Sequence, residues 1–139
     1  MKTSYTILYV DDDIDDLQLI SDAFEKYTDH LRVVHAGNGK EGLKMLDAMK
    51  KETSLPCLLV IDINMPVMDG KEMLEKLRMQ PAYKHLPVIL FSTSQSEQDK
   101  DFAENFDAEF ISKPNRYGEL KSLVEQFVTK CSFEVEKSA

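Results

Sequence analysis

Three short runs in this sequence, Ile7–Val10, Leu58–Ile61 and Val88–Phe91, are apolar throughout. A strand carries apolar side chains on both faces only when both faces are covered, as in a parallel sheet flanked by helices. Two further runs, Arg32–His35 and Ala108–Ile111, are more mixed and suit flanking strands. Between the runs the apolar period changes to that of a helix. Leu17, Ile20 and Phe24 share one face of a first helix, and Leu43, Leu46 and Met49 do the same in a second. Met73, Leu74 and Leu77 mark a third, which should end before Pro81. The fourth, Ser96–Asn105, is weak, with Phe102 and Phe106 as its main apolar residues. In the fifth, Leu120, Leu123, Val124, Phe127 and Val128 form a clear amphipathic stripe.

Five strands alternating with five helices predict a three-layer α/β domain, because each strand and helix must bury its apolar face against another layer. Right-handed crossovers restrict the topology. The expected fold is the doubly wound (βα)5, flavodoxin-like one, with a parallel five-stranded sheet in the order 2-1-3-4-5. The 139 residues suit one domain, and 42% hydrophobic residues are enough for a core without staples. The domain is expected over residues 1–130. Residues 131–139 lack periodicity and are expected to form a short frayed tail, with no output domain following.

The formal charge of −8, from 17 basic and 25 acidic residues, argues against nonspecific binding to nucleic acid or to an anionic membrane. The N-terminus does not have the shape of a signal peptide, and no apolar run is long enough to span a bilayer. A cytoplasmic location is the expectation. Cys57 and Cys131 show no metal-ligand spacing. A disulfide between them stays open, but two idle thiols in a reducing cytosol is the preferred reading.

In open α/β sheets the site lies beyond the carboxyl ends of the strands, where the strand order reverses. Strand one ends in Asp11-Asp12-Asp13, strand three in Asp62 followed by Ile63-Asn64-Met65-Pro66, strand four in Ser92-Thr93 and strand five in Ser112-Lys113-Pro114. Carboxylates at close range repel unless some protonate or a cation sits between them. Oxygen ligands with few protein groups suit Mg²⁺. An aspartate can itself be a nucleophile and form an aspartyl-phosphate, and Asp62 sits centrally for that role. Lys113 can neutralise a phosphoryl oxygen, and the Ser92 hydroxyl can donate to another.

Each feature also has a blander reading. A strand-end Asp before Pro and Gly is often turn chemistry, and an Asp run before a helix is often an N-cap. Asp13, Asp15 and Asp16 are best read that way, as a charged helix start. Four such features at the ends of the correct strands are much harder to obtain by accident. His30, His35 and His85 are scattered without an evident ligand partner and read as structural or solvated.

The segments Ile7–Asp12, Leu58–Gly70, Pro87–Ser92 and Phe110–Pro114 together resemble the receiver domain of bacterial two-component response regulators, in a stand-alone, chemotaxis-regulator-like form. The resemblance covers nearly the whole chain. It implies Asp62 as phosphoacceptor from a histidine kinase or histidine phosphotransfer protein. It also implies Mg²⁺ bound by Asp12 and Asp62 directly, by Asp11 through water and by the backbone carbonyl of Asn64. Ser92 would be the switch hydroxyl, Phe110 its aromatic partner, and Lys113 the contact to the phosphoryl group. Whether Lys113–Pro114 is cis stays open. The chain would then be a signalling phosphoacceptor with intrinsic autodephosphorylation, not an enzyme. Its output would be binding: to a partner protein, to a downstream histidine phosphotransfer protein, or to itself as a homodimer. Departures are Ser92 for the commoner threonine, Thr93 for a smaller residue, Asp107 where glycine is frequent, and Phe110 without a tyrosine hydroxyl.

Three other readings compete. A haloacid-dehalogenase-like phosphatase would need an acid two positions after the nucleophile, where Asn64 stands. A flavin-binding electron carrier would need a phosphate loop after strand one, where Asp11-Asp12-Asp13 would repel it. A degenerate receiver that only binds partners would be expected to have lost Asp62 or Lys113, and both are present.

Overall fold

The computed structural model describes residues 5–27, 31–114 and 117–138. Strands β1 (Tyr5–Val10), β2 (Leu31–Ala36), β3 (Leu58–Asp62), β4 (Val88–Ser92) and β5 (Glu109–Ser112) alternate with helices α1 (Ile14–Phe24), α2 (Gly39–Lys51), α3 (Gly70–Arg78), α4 (Glu97–Asn105) and α5 (Tyr117–Ser138). The strands are all parallel, in the order β2-β1-β3-β4-β5. This is the expected doubly wound order.

The all-apolar runs are apolar because both faces of the sheet are covered. Ile7, Tyr9, Leu58, Val60, Ile89 and Phe91 face the layer of α1 and α5, where they meet Ile20, Phe24, Leu123 and Phe127. Leu8, Val10, Leu59, Ile61, Val88 and Leu90 face the opposite layer and meet Leu46, Met73, Leu74, Leu77 and Ala103 from α2, α3 and α4. Alternate strand residues point to opposite faces, so each run feeds two cores at once.

Helix starts follow local chemistry. The side chains of Asp13, Asn38, Asp69 and Ser96 cap α1, α2, α3 and α4 by accepting first-turn N–H groups. The Arg78 guanidinium, at the end of α3, donates to the carbonyls of Tyr83, Leu86, Phe106 and Asp107, tying the end of α4 to the loop after α3. Asp107 has φ 54°, a left-handed backbone that explains why glycine suits this position and why Asp is tolerated there. β5 accordingly begins at Glu109, one residue later than the apolar run.

Two expectations need correction. Residues after Lys130 are not a frayed tail: α5 continues to Ser138, with Cys131 fully buried. Cys131 falls four residues after Phe127 and extends the buried stripe of α5, a role open to a small apolar thiol. Nor are the two cysteines idle thiols. Cys57, just before β3, is disulfide-bonded to Cys131, with Cα atoms 5.2 Å apart. A separation of 74 residues along the chain carried no sign of that proximity. The Lys113–Pro114 bond is trans, since no described peptide bond is cis. Among the described residues no helix is long and apolar enough to cross a membrane. His30 lies outside the described residues.

Candidate functional site

Because every strand is parallel, all five carboxyl ends open at the same edge of the sheet. β1 and β3 are neighbours, but α1 leaves β1 toward one face and α3 leaves β3 toward the other. The crevice between them receives Asp11 and Asp12 from one side and Asp62 from the other. One carboxylate oxygen from each of these three lies within 4.8 Å of the other two. Asp11 and Asp62 are buried and Asp12 is exposed.

Lys113 enters from the end of β5. Its Nζ lies 2.8 Å from Asp16 Oδ2, 3.1 Å from Asp11 Oδ2 and 3.5 Å from Asp62 Oδ2. Asp11 is held in place from several directions. Its Oδ2 also accepts from the Tyr9 hydroxyl at 2.9 Å, and its Oδ1 accepts from the Asp13 N–H at 3.0 Å. Its backbone oxygen accepts from His35 Nε2 at 2.7 Å, which makes His35 a structural residue of the β1 end.

Asp62 owes its position to the segment that follows it. Gly70 N–H donates to the Ile63 carbonyl at 2.8 Å, bringing the first turn of α3 back onto the end of β3. Val67, in the intervening turn, has φ 68° and is largely exposed. Asn64 is exposed two residues beyond Asp62. Ser92 is fully buried at the end of β4, and its Oγ accepts from the Ser94 N–H at 3.1 Å, within its own loop. Phe110 pairs in register with Leu90 on the neighbouring strand and is half-buried on the α4 side of the sheet. Thr93 is exposed.

The structure therefore joins Asp11, Asp12, Asp62 and Lys113 into one cluster, with Ser92 and Phe110 on the adjoining strands. Reading Asp16 as only a charged helix start missed a partner. Asp13 is the cap, whereas Asp16 reaches Lys113 from the first turn of α1. Tyr9 was also missed, although its place two residues before Asp11 puts both side chains on the same face of the strand.

Burial pushes the Asp62 carboxyl up, the neighbouring Asp11 charge adds to this, and Lys113 opposes it, so that Asp62 is raised to about 7. Burial pulls the Lys113 ammonium down, but the Asp16 hydrogen bond and the charges of Asp11 and Asp62 outweigh it and hold Lys113 above its ordinary value. Burial and the adjacent Asp11 raise Tyr9, which keeps its hydroxyl a donor.

A close set of carboxylates, one of them open to solvent, fits a small hard divalent cation that retains waters. The donor set is all oxygen, without the imidazole or thiolate that softer metals prefer.

The strand order and this cluster at its switch point are those of a receiver domain. The chain belongs to the response regulator receiver domain family, whose model matches residues 7–125. It is 37% identical over 123 residues, 87% of this chain and 88% of the relative, to the "uncharacterized 14.6 kDa protein in sodA1 3′ region" of Leptolyngbya boryana. It is 30% identical over 95 residues to response regulator Rcp1 of Synechocystis, covering 67% of this chain and 65% of Rcp1. The crystal structure of the phosphorylated cyanobacterial phytochrome response regulator RcpA superposes with a TM-score of 0.82 at 28% identity, over 90% of this chain and 91% of that one. The chain is thus a receiver domain of two-component signalling.

Proposed function

We propose that Asp62 accepts the phosphoryl group from a histidine kinase or a histidine phosphotransfer protein, with Mg²⁺ held by Asp12, Asp62, the Asn64 carbonyl and, through water, Asp11. The observation that carries this reading is the cluster of three carboxylates within 4.8 Å with the Lys113 ammonium against it. An Asp62 oxygen attacks phosphorus, the P–N bond to the donor imidazole breaks, and the imidazole leaves with a proton. Bound Mg²⁺ would neutralise charge on the acidic cluster and on the transferred group. Lys113 offsets a further phosphoryl charge, and Asp11, anchored by Tyr9 and the Asp13 N–H, keeps its oxygens aimed into the site. That RcpA is known in a phosphorylated form supports the assignment.

Phosphorylation adds roughly −1.5 to −2 charges at neutral pH. The Ser92 hydroxyl, whose oxygen accepts from the Ser94 N–H, then turns to donate its O–H to a phosphoryl oxygen, moving the loop after β4. Phe110, half-buried on the same side of the sheet, repacks, and the surface of α4, β5 and α5 shifts between two states. Output is by binding, to a downstream protein or a second copy. Water attack on the acyl phosphate returns inorganic phosphate and resets Asp62, so the chain acts as a signalling phosphoacceptor rather than a turnover enzyme. We place it in the cytoplasm, with its kinase, a compartment in which a disulfide such as Cys57–Cys131 is uncommon.

The test is intact mass after incubation with phosphoramidate, with Mg²⁺ or with EDTA. A single phosphoryl adduct that requires Mg²⁺ is expected. An adduct of equal yield in EDTA would remove the metal from the reaction. No adduct, alongside a working control receiver, would favour a partner-binding module.

A further inference from the structure

Asp16 has no part in the chemistry assigned to Asp62, yet it makes the shortest contact of the Lys113 ammonium. Nζ lies 2.8 Å from Asp16 Oδ2, closer than to Asp11 or Asp62. The geometry around the three acids is unequal. Asp11 Oδ2 is already shared with the Tyr9 hydroxyl, and Asp11 and Asp62 both belong to the carboxylate cluster. Asp16 stands outside that cluster, in the first turn of α1, where Asp13 caps its backbone N–H. A small cavity of about 50 Å³, bounded by Tyr9, Asp16, Phe91, Lys113 and Leu120, adjoins the Lys113 side chain.

We propose that Asp16 is a positioning residue that holds Lys113 in the unphosphorylated protein and competes with the phosphoryl group for its ammonium. This rests on the phosphoacceptor reading of Asp62. The charge-assisted hydrogen bond between a mostly buried ammonium and a one-third exposed carboxylate draws Nζ toward Asp16, and moving Nζ closer to a phosphoryl oxygen on Asp62 weakens that bond. Asp16 therefore weakens phosphoryl-state stabilisation by Lys113 without touching the phosphoryl group. A carboxylate placed there only for the helix dipole would be equivalent to Asp15, which is exposed in the same turn.

The test is calorimetric titration of beryllofluoride, a phosphoryl mimic, onto Mg²⁺-loaded wild type, Asp16→Asn, Asp15→Asn, Lys113→Ala and the Asp16→Asn/Lys113→Ala double variant. Asp16→Asn is expected to bind about two- to fivefold tighter, the range for losing a partly exposed competing ion pair. Asp15→Asn should gain less, and Asp16→Asn should gain no more than that in the Lys113→Ala background. As a readout free of metal and mimic, the Lys113 side-chain ¹H–¹⁵N resonance should shift in Asp16→Asn and not in Asp15→Asn. An equal gain with and without Lys113, or an unmoved Lys113 resonance, overturns the proposal and leaves the phosphoacceptor reading standing. Failure of wild type to bind beryllofluoride overturns both.

Discussion

A Cβ on Gly70 would lie 2.4 Å from the carbonyl oxygen of Asp62 and 2.9 Å from the Ile63 Cα. Both contacts are to backbone, so neither can be relieved by a side-chain rotation. α3 therefore starts against the peptide that carries Asp62, and only glycine allows that approach. Gly70→Ala is expected to push α3 away from β3, with a loss of about 1–3 kcal/mol of stability, as for other overpacked sites. The Asp62 labelling rate should fall about tenfold or more, since displacements near 1 Å are costly to reacting geometry. Urea melts and labelling time courses check this. Wild-type values in both would show that the helix relaxes freely.

The raised Asp62 has a consequence for stability. Burial and the Asp11 charge push its carboxyl up to about 7 in the folded chain, from an ordinary 3.8. Between those values the folded state keeps a proton that the unfolded chain releases. The contribution of Asp62 is therefore most favourable below pH 3.8 and is lost as pH rises toward 7. Asp62→Asn carries no such charge, and Lys113 keeps Asp11 and Asp16 as partners. In EDTA at neutral pH, Asp62→Asn should be more stable than wild type by about 1–3 kcal/mol, the scale of relieving a buried like-charge contact. The gap should close toward pH 4. Calorimetric melts across this pH range are the measurement, and a gap independent of pH would contradict the assignment.

Val67 is a β-branched residue held at φ 68° on an exposed turn. The left-handed region disfavours a Cβ, while glycine enters it freely but is more disordered when unfolded. Val67→Gly should gain about 0.5–1 kcal/mol net, read as a higher urea midpoint. A loss would mean that the exposed side chain is supported by contacts beyond its own backbone.

The Cys57–Cys131 bond closes a loop spanning 74 residues between β3 and α5. Chain-entropy reasoning gives such a loop roughly 4 kcal/mol of stabilisation, an upper figure for real disulfides. Oxidised protein should take no alkylating label until it is reduced and unfolded, and then two. Reduction should lower the melting temperature, while Cys57→Ala/Cys131→Ala should melt like the reduced wild type and not respond to reductant. Two labels on unreduced, denatured protein would show free thiols.

The sequence carried the sheet order and the acidic cluster because both rest on short-range patterns. Apolar runs such as Leu58–Ile61 report burial on two faces, and parallel strands bring Asp11, Asp62 and Lys113 to a common edge. What it did not carry were contacts set by three-dimensional closure. The proximity of Cys57 to Cys131 depends on how α5 crosses the sheet, and the contact of Asp16 with Lys113 spans 97 positions. The end of α5 was missed because Cys131 did not register as an apolar position. Asp107 was recognised as standing where glycine is frequent, and its φ of 54° supplies the reason.

Chemical mapping of the phosphoryl group identifies the acceptor residue directly. Protein labelled with phosphoramidate and Mg²⁺ is reduced with borohydride, which converts an aspartyl-phosphate to homoserine, and the peptides are sequenced by mass. Homoserine is expected at position 62 alone, and absent without Mg²⁺. An adduct on any other residue, or an unreduced Asp62 in fully labelled protein, would contradict it.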